Sequence, residues 1–208
     1  DYLLRRGFPF VAFGRTARCA DHAWFDFDNT AGAAMAVARL AGFGHRRIAY
    51  IHAPLELNFA KQRFDGYRQG LHAAGLAETA DWIVPSNFAL GRRGGYLAMQ
   101  QLLAQPQRPT AVVVDNSLAC IGAMRALMDA GLQPGRDLSV IAQDFVSEAD
   151  LLVMPSITSI EHADAQRVGA QLAELVVGVQ QKRPLHTLQV LWQPGIRPGA
   201  SDGPAPAA

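Results

Sequence analysis

Two apolar segments of the chain, Ala111–Val114 and Leu138–Ala142, end in polar residues that could bind a ligand. Asn116 follows the first segment, and Asp144 follows the second. The residues between the segments have the pattern of an amphipathic helix that ends at Gly131, so together they predict a β-α-β unit with a right-handed crossover. Both strands of such a unit end at the same edge of the sheet, where open α/β sheets bind ligands. We therefore predict a ligand site at that edge.

Further polar and aromatic residues follow other predicted strands. Arg63 lies in the first turn of a predicted helix, where the helix dipole disfavours a cation, so an anionic or hydroxyl partner explains it better than solvent. An arginine fork, a carboxylate, an amide and aromatic rings suit a small polyhydroxylated ligand. The candidate ligand-binding residues are Arg15, Asn58, Phe59, Arg63, Phe88, Asn116 and Asp144.

Each of these candidates also has a purely structural explanation. Asn116 could cap the helix that follows it, and Asp144 could be a turn residue. Arg63 could be solvated, and both phenylalanines could belong to the core. Their joint occurrence at one predicted sheet edge favours the ligand site.

Signatures of catalysis and metal binding are sparse. The sequence lacks the phosphate-binding Gly-x-x-x-x-Gly-Lys, His-Glu-x-x-His and Cys-x-x-Cys patterns. Gly42-Phe-Gly44 precedes a predicted strand instead of following one, so we interpret it as the end of a helix and not as a dinucleotide fingerprint. The six histidines are dispersed. We predict no catalytic residue, no metal, no cofactor and no enzymatic activity.

The composition is that of an ordinary globular protein. Half of the 208 residues are hydrophobic, 18% are charged, and the net charge is +1, which gives no electrostatic footprint for nucleic acid or an anionic membrane. The sequence contains no apolar run of about 18 residues, the length that would predict a membrane span. Cys19 and Cys120 have no metal or redox spacing and fit a reducing cytoplasm. The first residues resemble the tail of a helix ending at Gly7, so we expect further sequence upstream.

Predicted strands alternate with predicted helices, which is the signature of a doubly wound α/β fold with parallel sheets. The predicted strands are 10–13, 24–27, 48–52, 82–85, 111–114, 138–142, 156–160 and 188–192. Outside the β-α-β unit the predicted helices are 31–41, 60–74, 91–104 and 163–179. Residues 202–208, rich in Gly, Pro and Ala, are predicted to be a flexible tail.

Several segments, taken together and in order, resemble the effector-binding region of the LacI/GalR (lactose-repressor) family of bacterial transcription regulators. The segments that carry the resemblance are Gly7–Arg15, Asp28–Leu40, Gly44–Ala49, Arg63–Tyr67, Pro109–Ala126, Gly135–Ile141 and Pro155–Ile160. The resemblance covers residues 7–201 and rests on no single motif.

The resemblance implies a periplasmic-binding-protein-like fold, in which a ligand cleft lies between two doubly wound, Rossmann-like lobes. Residues 1–27 and 161–181 would belong to the N-terminal lobe, and residues 28–160 and 184–201 to the C-terminal lobe. Family members begin with a helix-turn-helix, a hinge helix and further strands of the first lobe. The first lobe is therefore expected to be incomplete here, and operator DNA would be bound only through the helix-turn-helix that this chain lacks.

The resemblance also implies a function. The chain would be the effector-sensing and dimerisation domain of a cytoplasmic, homodimeric transcriptional regulator, expected to be a repressor with no membrane partner. A small-molecule effector, expected to be a carbohydrate, would modulate operator binding. The alternative is a periplasmic sugar-binding protein of a transport system, which would share the architecture.

Family ligand positions match Arg63, Asn116 and Asp144. The chain departs from the family beside two of them, because Ser117 and Phe145 stand where family members usually carry aspartate. Losing two carboxylates and gaining an aromatic ring predicts a less acidic ligand site.

Overall fold

The chain's structure, a computed structural model, describes residues 2–144, 146, 155–161 and 164–207. The chain divides into two compact units. The first unit comprises residues 1–28 and 162–194, and the second comprises residues 29–161 and 195–208.

The elements follow the predicted alternation of strands and helices. The strands are β1 (Val11–Phe13), β2 (Ala23–Phe27), β3 (Ile48–His52), β4 (Ile83–Pro85), β5 (Ala111–Val114), β6 (Ser139–Ala142), β7 (Thr158–Glu161), β8 (Gln189–Trp192) and β9 (Gly195–Arg197). The helices are α1 (Tyr2–Arg5), α2 (Asn29–Gly42), α3 (Asn58–Ala73), α4 (Arg92–Leu103), α5 (Ser117–Asp129) and α6 (Ala165–Gln180). The predicted elements are confirmed with ends shifted by one or two residues, although Ala163, the predicted start of the last helix, lies outside the described residues. Strand β9 was not predicted from the sequence.

The first unit is built on a parallel sheet with the strand order β1-β2-β8. Its core joins Phe25 of β2 to Leu175 of α6 and to Leu188. The ring of Phe25 also meets that of Trp192 on β8, with centroids 4.8 Å apart. Burial of these apolar side chains is the main force that holds the helix against the sheet.

One predicted boundary is wrong. Residues 184–201 were predicted to belong to the C-terminal lobe, but β8 pairs in parallel with β2 over four residues, from Trp24↔Gln189 to Phe27↔Trp192. Residues up to Pro194 therefore belong to the first unit. The apolar alternation of Val190 and Trp192 predicted a strand, but alternation does not tell which sheet the strand joins.

The second unit contains a sheet with the order β4-β3-β5-β6-β7-β9, in which only β9 is antiparallel to its neighbour. Helices cover both of its faces. Val113 packs with Leu40 of α2 on one face, and Val114 packs with Met124 of α5 on the other. Strand β5 is therefore a continuous apolar run, as expected of a parallel strand that is buried on both faces. The predicted α/β fold with parallel sheets is confirmed.

The two helices on each face pack closely because glycines face the partner helix. A Cβ atom at Gly66 of α3 would overlap the Thr30 carbonyl oxygen of α2. On the other face, a Cβ atom at Gly95 of α4 would overlap the Ala119 carbonyl oxygen of α5. The absence of a side chain at Gly66 thus lets α3, which carries Arg63, lie close against α2.

A neutral polar cluster lies at the edge of the second unit's sheet where the parallel strands begin. We define this histidine cluster by His45, Thr110, Ser139 and Gly203. His45 is fully buried; its Nδ1 lies 2.9 Å from Thr110 Oγ1, and its Nε2 lies 3.0 Å from both Ser139 Oγ and the Gly203 carbonyl oxygen. Burial lowers the pKa of His45, against the raising effects of the Gly203 carbonyl and Asp202.

The second wrong prediction is the flexible tail. Ser201 is fully buried, and its Oγ accepts from the Thr158 N–H at 2.9 Å and donates to the Val140 carbonyl at 2.6 Å. The Asp202 carboxylate forms an ion pair with Arg39 Nε at 2.5 Å. Small residues suggested fraying, but here they let the chain pack tightly across β6 and β7. As far as Ala207, the last residue that the structure describes, this segment is part of the second unit.

Within the described residues, no helix is both long and apolar enough to cross a membrane.

Candidate functional site

The candidate site lies where the parallel strands of the second unit end. Strands β3, β5 and β6 are neighbours in the sheet and run in the same direction. Asp115 and Asn116 therefore leave the sheet beside Asp144, as the β-α-β pattern predicted. Helix α3 begins at Asn58, just after β3, and carries Arg63 in its second turn.

Arg63 is the centre of this site. Its side chain is only 8% exposed, and its guanidinium group forms ion pairs with both Asp115 and Asp144. Nη2 donates to Asp144 Oδ1 at 2.7 Å, and Nη1 lies 3.3 Å from Asp144 Oδ2, which is a bidentate pair. Burial alone would lower the pKa of Arg63, but Asp144 and Asp115 raise it, and the net shift is upward.

Asp115 binds Arg63 through both its backbone carbonyl and its side chain. Nη1 of Arg63 donates to the Asp115 carbonyl at 2.5 Å and to Oδ1 at 3.2 Å, and the Ala53 N–H donates to Oδ2 at 2.9 Å. Burial raises the pKa of Asp115, while Arg63 and the Ala53 N–H oppose that rise. Because both carboxylate oxygens accept N–H groups, the ionised form of Asp115 fits this environment.

Asn29, the first residue of α2, completes what we call the arginine cluster: Asn29, Arg63, Asp115 and Asp144. Its Oδ1 accepts from Arg63 Nε at 2.9 Å, and its Nδ2 donates to Gln62 Oε1 at 3.1 Å. Neither Asn29 nor Asp115 was predicted as a site residue. Asp115 could have been found from its place at the end of a strand, next to Asn116.

Tyr50 is a buried neighbour of the cluster. Its hydroxyl has no hydrogen-bond partner among the described residues, and its ring stacks on Tyr67 with centroids 4.8 Å apart. Burial raises the pKa of Tyr50 well above its usual value, and the nearby Asp115 raises it further. Tyr50 therefore stays neutral and can only donate or accept a hydrogen bond.

Asn116 caps helix α5. Its Oδ1 accepts from the Ala119 N–H at 2.9 Å, which is the structural alternative that the sequence left open. The cap occupies the amide oxygen but not the Nδ2 hydrogens, so the same side chain can still donate to a ligand. A role for Asn116 in ligand binding stays a prediction.

Phe59 also contacts the arginine cluster. The guanidinium carbon of Arg63 lies 5.1 Å from the centroid of the Phe59 ring, within the range of a cation–π contact. Asn58 and Phe59 are both half-buried residues of the first turn of α3. The structure therefore brings Phe59, Arg63 and Asp144 together.

Phe88 and Arg15 are the two remaining candidates. Phe88 begins a 3-10 turn after β4, and its ring is half exposed. Arg15 belongs to the first unit, where its Nε donates to Asp26 Oδ2 at 3.0 Å and its guanidinium lies over Trp24. Ligand binding by Phe88 and Arg15 stays a prediction.

The site holds one carboxylate more than was predicted from the sequence. Asp115, two residues before Ser117, supplies a carboxylate that was not predicted as part of the site. Phe145 lies outside the described residues. Two carboxylates therefore share the Arg63 guanidinium.

Ser201 does not have the surroundings of a catalytic serine. Residues 199–203 have the Gly-x-Ser-x-Gly spacing of a nucleophile elbow, but such a serine is exposed on a strand-to-helix turn, whereas Ser201 is buried with its Oγ hydrogen-bonded. Within the described part of the chain, no group of three or more His, Cys, Asp or Glu is placed to hold a metal ion.

Comparison with known proteins gives consistent matches over nearly the whole chain. Residues 37–201 match the family of periplasmic binding protein-like domains. The chain is 31% identical over 201 residues to the HTH-type transcriptional regulator RafR of Escherichia coli, which covers 96% of the chain and 58% of that regulator. The chain thus spans less than two thirds of the length of this relative.

Solved structures give the same result. A LacI-family regulatory protein from Chloroflexus aggregans superposes with a TM-score of 0.87 at 34% identity, covering 97% of this chain and 71% of that one. A complex of the transcriptional regulator CelR with cellobiose superposes with a TM-score of 0.83 at 26% identity, covering 94% of this chain and 59% of that one.

Proposed function

We propose a function for this chain from the family to which it belongs. The chain belongs to the periplasmic binding protein-like domains and, within them, to the LacI-type transcriptional regulators. It is the effector-sensing domain of a bacterial transcriptional regulator. The effector is a small carbohydrate that binds at the arginine cluster and modulates operator binding by an N-terminal helix-turn-helix. The named relatives are regulators, which favours this function over that of a transport protein.

The observation that carries the proposal is the bidentate Arg63–Asp144 pair at the carboxyl edge of a parallel sheet. Asp144 is 34% exposed, whereas Arg63 behind it is buried, so a charged acceptor is held rigidly at the surface. Carboxylates held in this way accept hydrogen bonds from hydroxyl groups. Asn116 Nδ2 adds a donor beside Asp144, and the half-buried Phe59 adds an aromatic face. Asn58 is a further polar contact at the start of α3.

Regulation requires that the effector binds one conformation of the protein more tightly than another. The coupling between effector and operator is expected to be about 1–3 kcal/mol, the usual scale for allosteric proteins. We propose a homodimer that works in the cytoplasm and represses transcription. Exposed Val176 and Val177 on α6 support contact with a second copy.

The test is a thermal-shift screen of the protein against monosaccharides, disaccharides including cellobiose, pentoses including ribose, and purines, followed by calorimetry of each hit. Asp144→Ala is expected to weaken carbohydrate binding by about 2–5 kcal/mol, because it removes a charged hydrogen-bond partner. The matched control is Asp65→Ala, which removes an exposed carboxylate on α3. Unchanged carbohydrate affinity in Asp144→Ala, or binding of purines alone, would contradict the proposal.

A further inference from the structure

Asn29 stands where the chain passes from the first unit to the second. Asp28 is the last residue of the first unit on this pass, and Asn29 is the first residue of both the second unit and helix α2. The Asn29 side chain is buried, and its Oδ1 accepts from Arg63 Nε at 2.9 Å. A residue at the junction of the two units therefore belongs to the arginine cluster.

The guanidinium group of Arg63 links Asn29 to the partly exposed Asp144. Its Nη2 donates to Asp144 Oδ1 at 2.7 Å, and its Nε donates to Asn29. A guanidinium group is planar and rigid, so a shift that turns one end of the group also moves the other end. Asp144 is 34% exposed and can be reached by a ligand, whereas Arg63 is buried. The guanidinium can thus carry a displacement from the surface to Asn29.

Further contacts hold the start of α2 against α3. Asn29 Nδ2 donates to Gln62 Oε1 at 3.1 Å, and Thr30 Oγ1 donates to the Gln62 carbonyl at 3.2 Å. A Cβ atom at Gly66 would overlap the Thr30 carbonyl oxygen, so the two helices lie in close contact here. The start of α2 is therefore expected to follow any movement of α3, the helix that carries Arg63.

On the other side of the junction, Asp28 is bonded to the first unit's sheet. The Asp28 N–H donates to the Trp192 carbonyl at 2.9 Å. Trp192 lies two residues before Pro194, where the chain leaves the first unit a second time. This hydrogen bond thus ties together two of the segments that join the units. A movement of Asn29 reaches both segments through the backbone of Asp28.

We propose that Asn29 couples the arginine cluster to the segments that join the two units. A ligand that engages Asp144 shifts the guanidinium group of Arg63. Asn29 passes this shift to Asp28 and Trp192, and such coupling is what lets an effector act beyond its own site. Asn29 is thus a positioning residue, since it acts through Arg63. The inference rests on the proposed function in that the ligand is taken to bind at the arginine cluster, but its test needs no ligand.

The experiment measures amide hydrogen exchange of Asp28 in the unliganded protein, with the amide of Val113 in the buried strand β5 as the reference. Arg63→Lys keeps the positive charge but removes the Nε–H that Asn29 accepts. Relative to Val113, the Asp28 amide is expected to exchange at least about tenfold faster than in the wild-type protein, as for loss of a hydrogen bond to a charged group. A general loss of stability would speed both amides alike.

Arg68→Lys is the matched control for this substitution. Arg68 lies on the same helix, but its side chain and that of its partner Glu78 are exposed. The exchange of Asp28 relative to Val113 is therefore expected to stay at the wild-type value in this variant.

A second pair of variants changes the same contact from the side of Asn29. Asn29→Ala removes the acceptor and is expected to speed the exchange of Asp28 as Arg63→Lys does. Asn29→Asp keeps an oxygen that can accept from Arg63 Nε and is expected to restore most of the wild-type protection. In the double variant of Arg63→Lys and Asn29→Ala the two effects are not expected to add, because both remove one bond. If Arg63→Lys does not fold, the two Asn29 variants decide the question.

The outcomes separate this inference from the proposed function. Unchanged Asp28 exchange in folded Arg63→Lys, additive effects in the double variant, or exchange in Asn29→Asp as fast as in Asn29→Ala would each overturn the coupling and leave the carbohydrate function standing. Equal acceleration of Asp28 and Val113 also overturns it. If Asp28 responds as expected while no carbohydrate binds the wild-type protein, the coupling holds and the carbohydrate function fails.

Discussion

The second unit's sheet has a buried polar cluster at each edge, and the two clusters differ in charge and exposure. The histidine cluster, where the strands begin, is built around a fully buried His45. The arginine cluster, where the strands end, carries two carboxylates against one guanidinium, and Asp144 is partly exposed. His45 is thus enclosed by protein, whereas Asp144 offers a partly exposed carboxylate to a ligand.

The two clusters also differ in how far other parts of the chain cover them. The segment around Ser201 covers the histidine cluster, since the Gly203 carbonyl lies 3.0 Å from His45 Nε2 and the Gly203 N–H donates to Ser139 Oγ at 3.0 Å. Asp144 at the opposite edge keeps a third of its side chain exposed. Polar side chains are found where the strands begin and where they end, so polarity alone does not mark a ligand site.

The largest effect is expected from breaking the arginine cluster. Arg63→Met leaves Asp115 buried without its guanidinium partner, and removing one member of a buried ion pair costs about 3–5 kcal/mol of unfolding free energy. Urea denaturation followed by circular dichroism measures the loss.

Arg68→Met on the same helix is the matched control for that experiment. Arg68 pairs with Glu78 at 2.6 Å, but both side chains are exposed, and such surface pairs contribute at most about 1 kcal/mol. Equal losses for the two variants would contradict the view that burial makes Arg63 structurally essential.

A smaller effect is expected from opening the segment over the histidine cluster. Ser201→Ala leaves the Thr158 N–H and the Val140 carbonyl without the hydroxyl that serves both, at a cost of about 1–3 kcal/mol. Ser156→Ala is the control, because Ser156 is exposed and its Oγ accepts only a long bond of 3.2 Å from the Ala200 N–H. If Ser201→Ala costs no more than Ser156→Ala, residues 201–203 do not stabilise this edge.

The smallest effect is the pH dependence of the histidine cluster. Burial lowers the pKa of His45 in the folded protein below its usual value of 6.5. As the pH falls through about 6.5, the unfolded chain binds a proton that folded His45 resists, so stability that is complete above this pH is lost below it. The loss reaches at most about 1.4 kcal/mol for each pH unit.

Unfolding free energies between pH 8 and 5, compared with those of His45→Gln, measure this contribution. Glutamine keeps a donor and an acceptor but does not titrate. The wild-type curve is therefore expected to fall more steeply than that of the variant on acidification. Parallel curves would show that His45 does not resist protonation.

Much of the fold could be predicted because it follows from local patterns. The continuous apolar run of β5 and the helical periodicity before Gly131 predicted a β-α-β unit, and this unit places Asn116 and Asp144 at one edge. Arg63 could be suspected from its unfavourable position near a helix start. Residues 184–194 and the segment after Ser201 were misassigned, because neither sheet membership nor burial of small residues has a local signature.

The sequence by itself determined which elements form and where polar residues leave the strands, since hydrophobic periodicity and parallel crossovers dictate both. Only the tertiary structure decided the partners of Arg63. Its contacts with Asn29, Asp115 and Asp144 join residues that are 34, 52 and 81 positions apart, and they depend on how closely Gly66 lets α3 approach α2. Which charged groups pair depends on the distance between them and on their burial. Both are properties of the folded chain and not of the order of its residues.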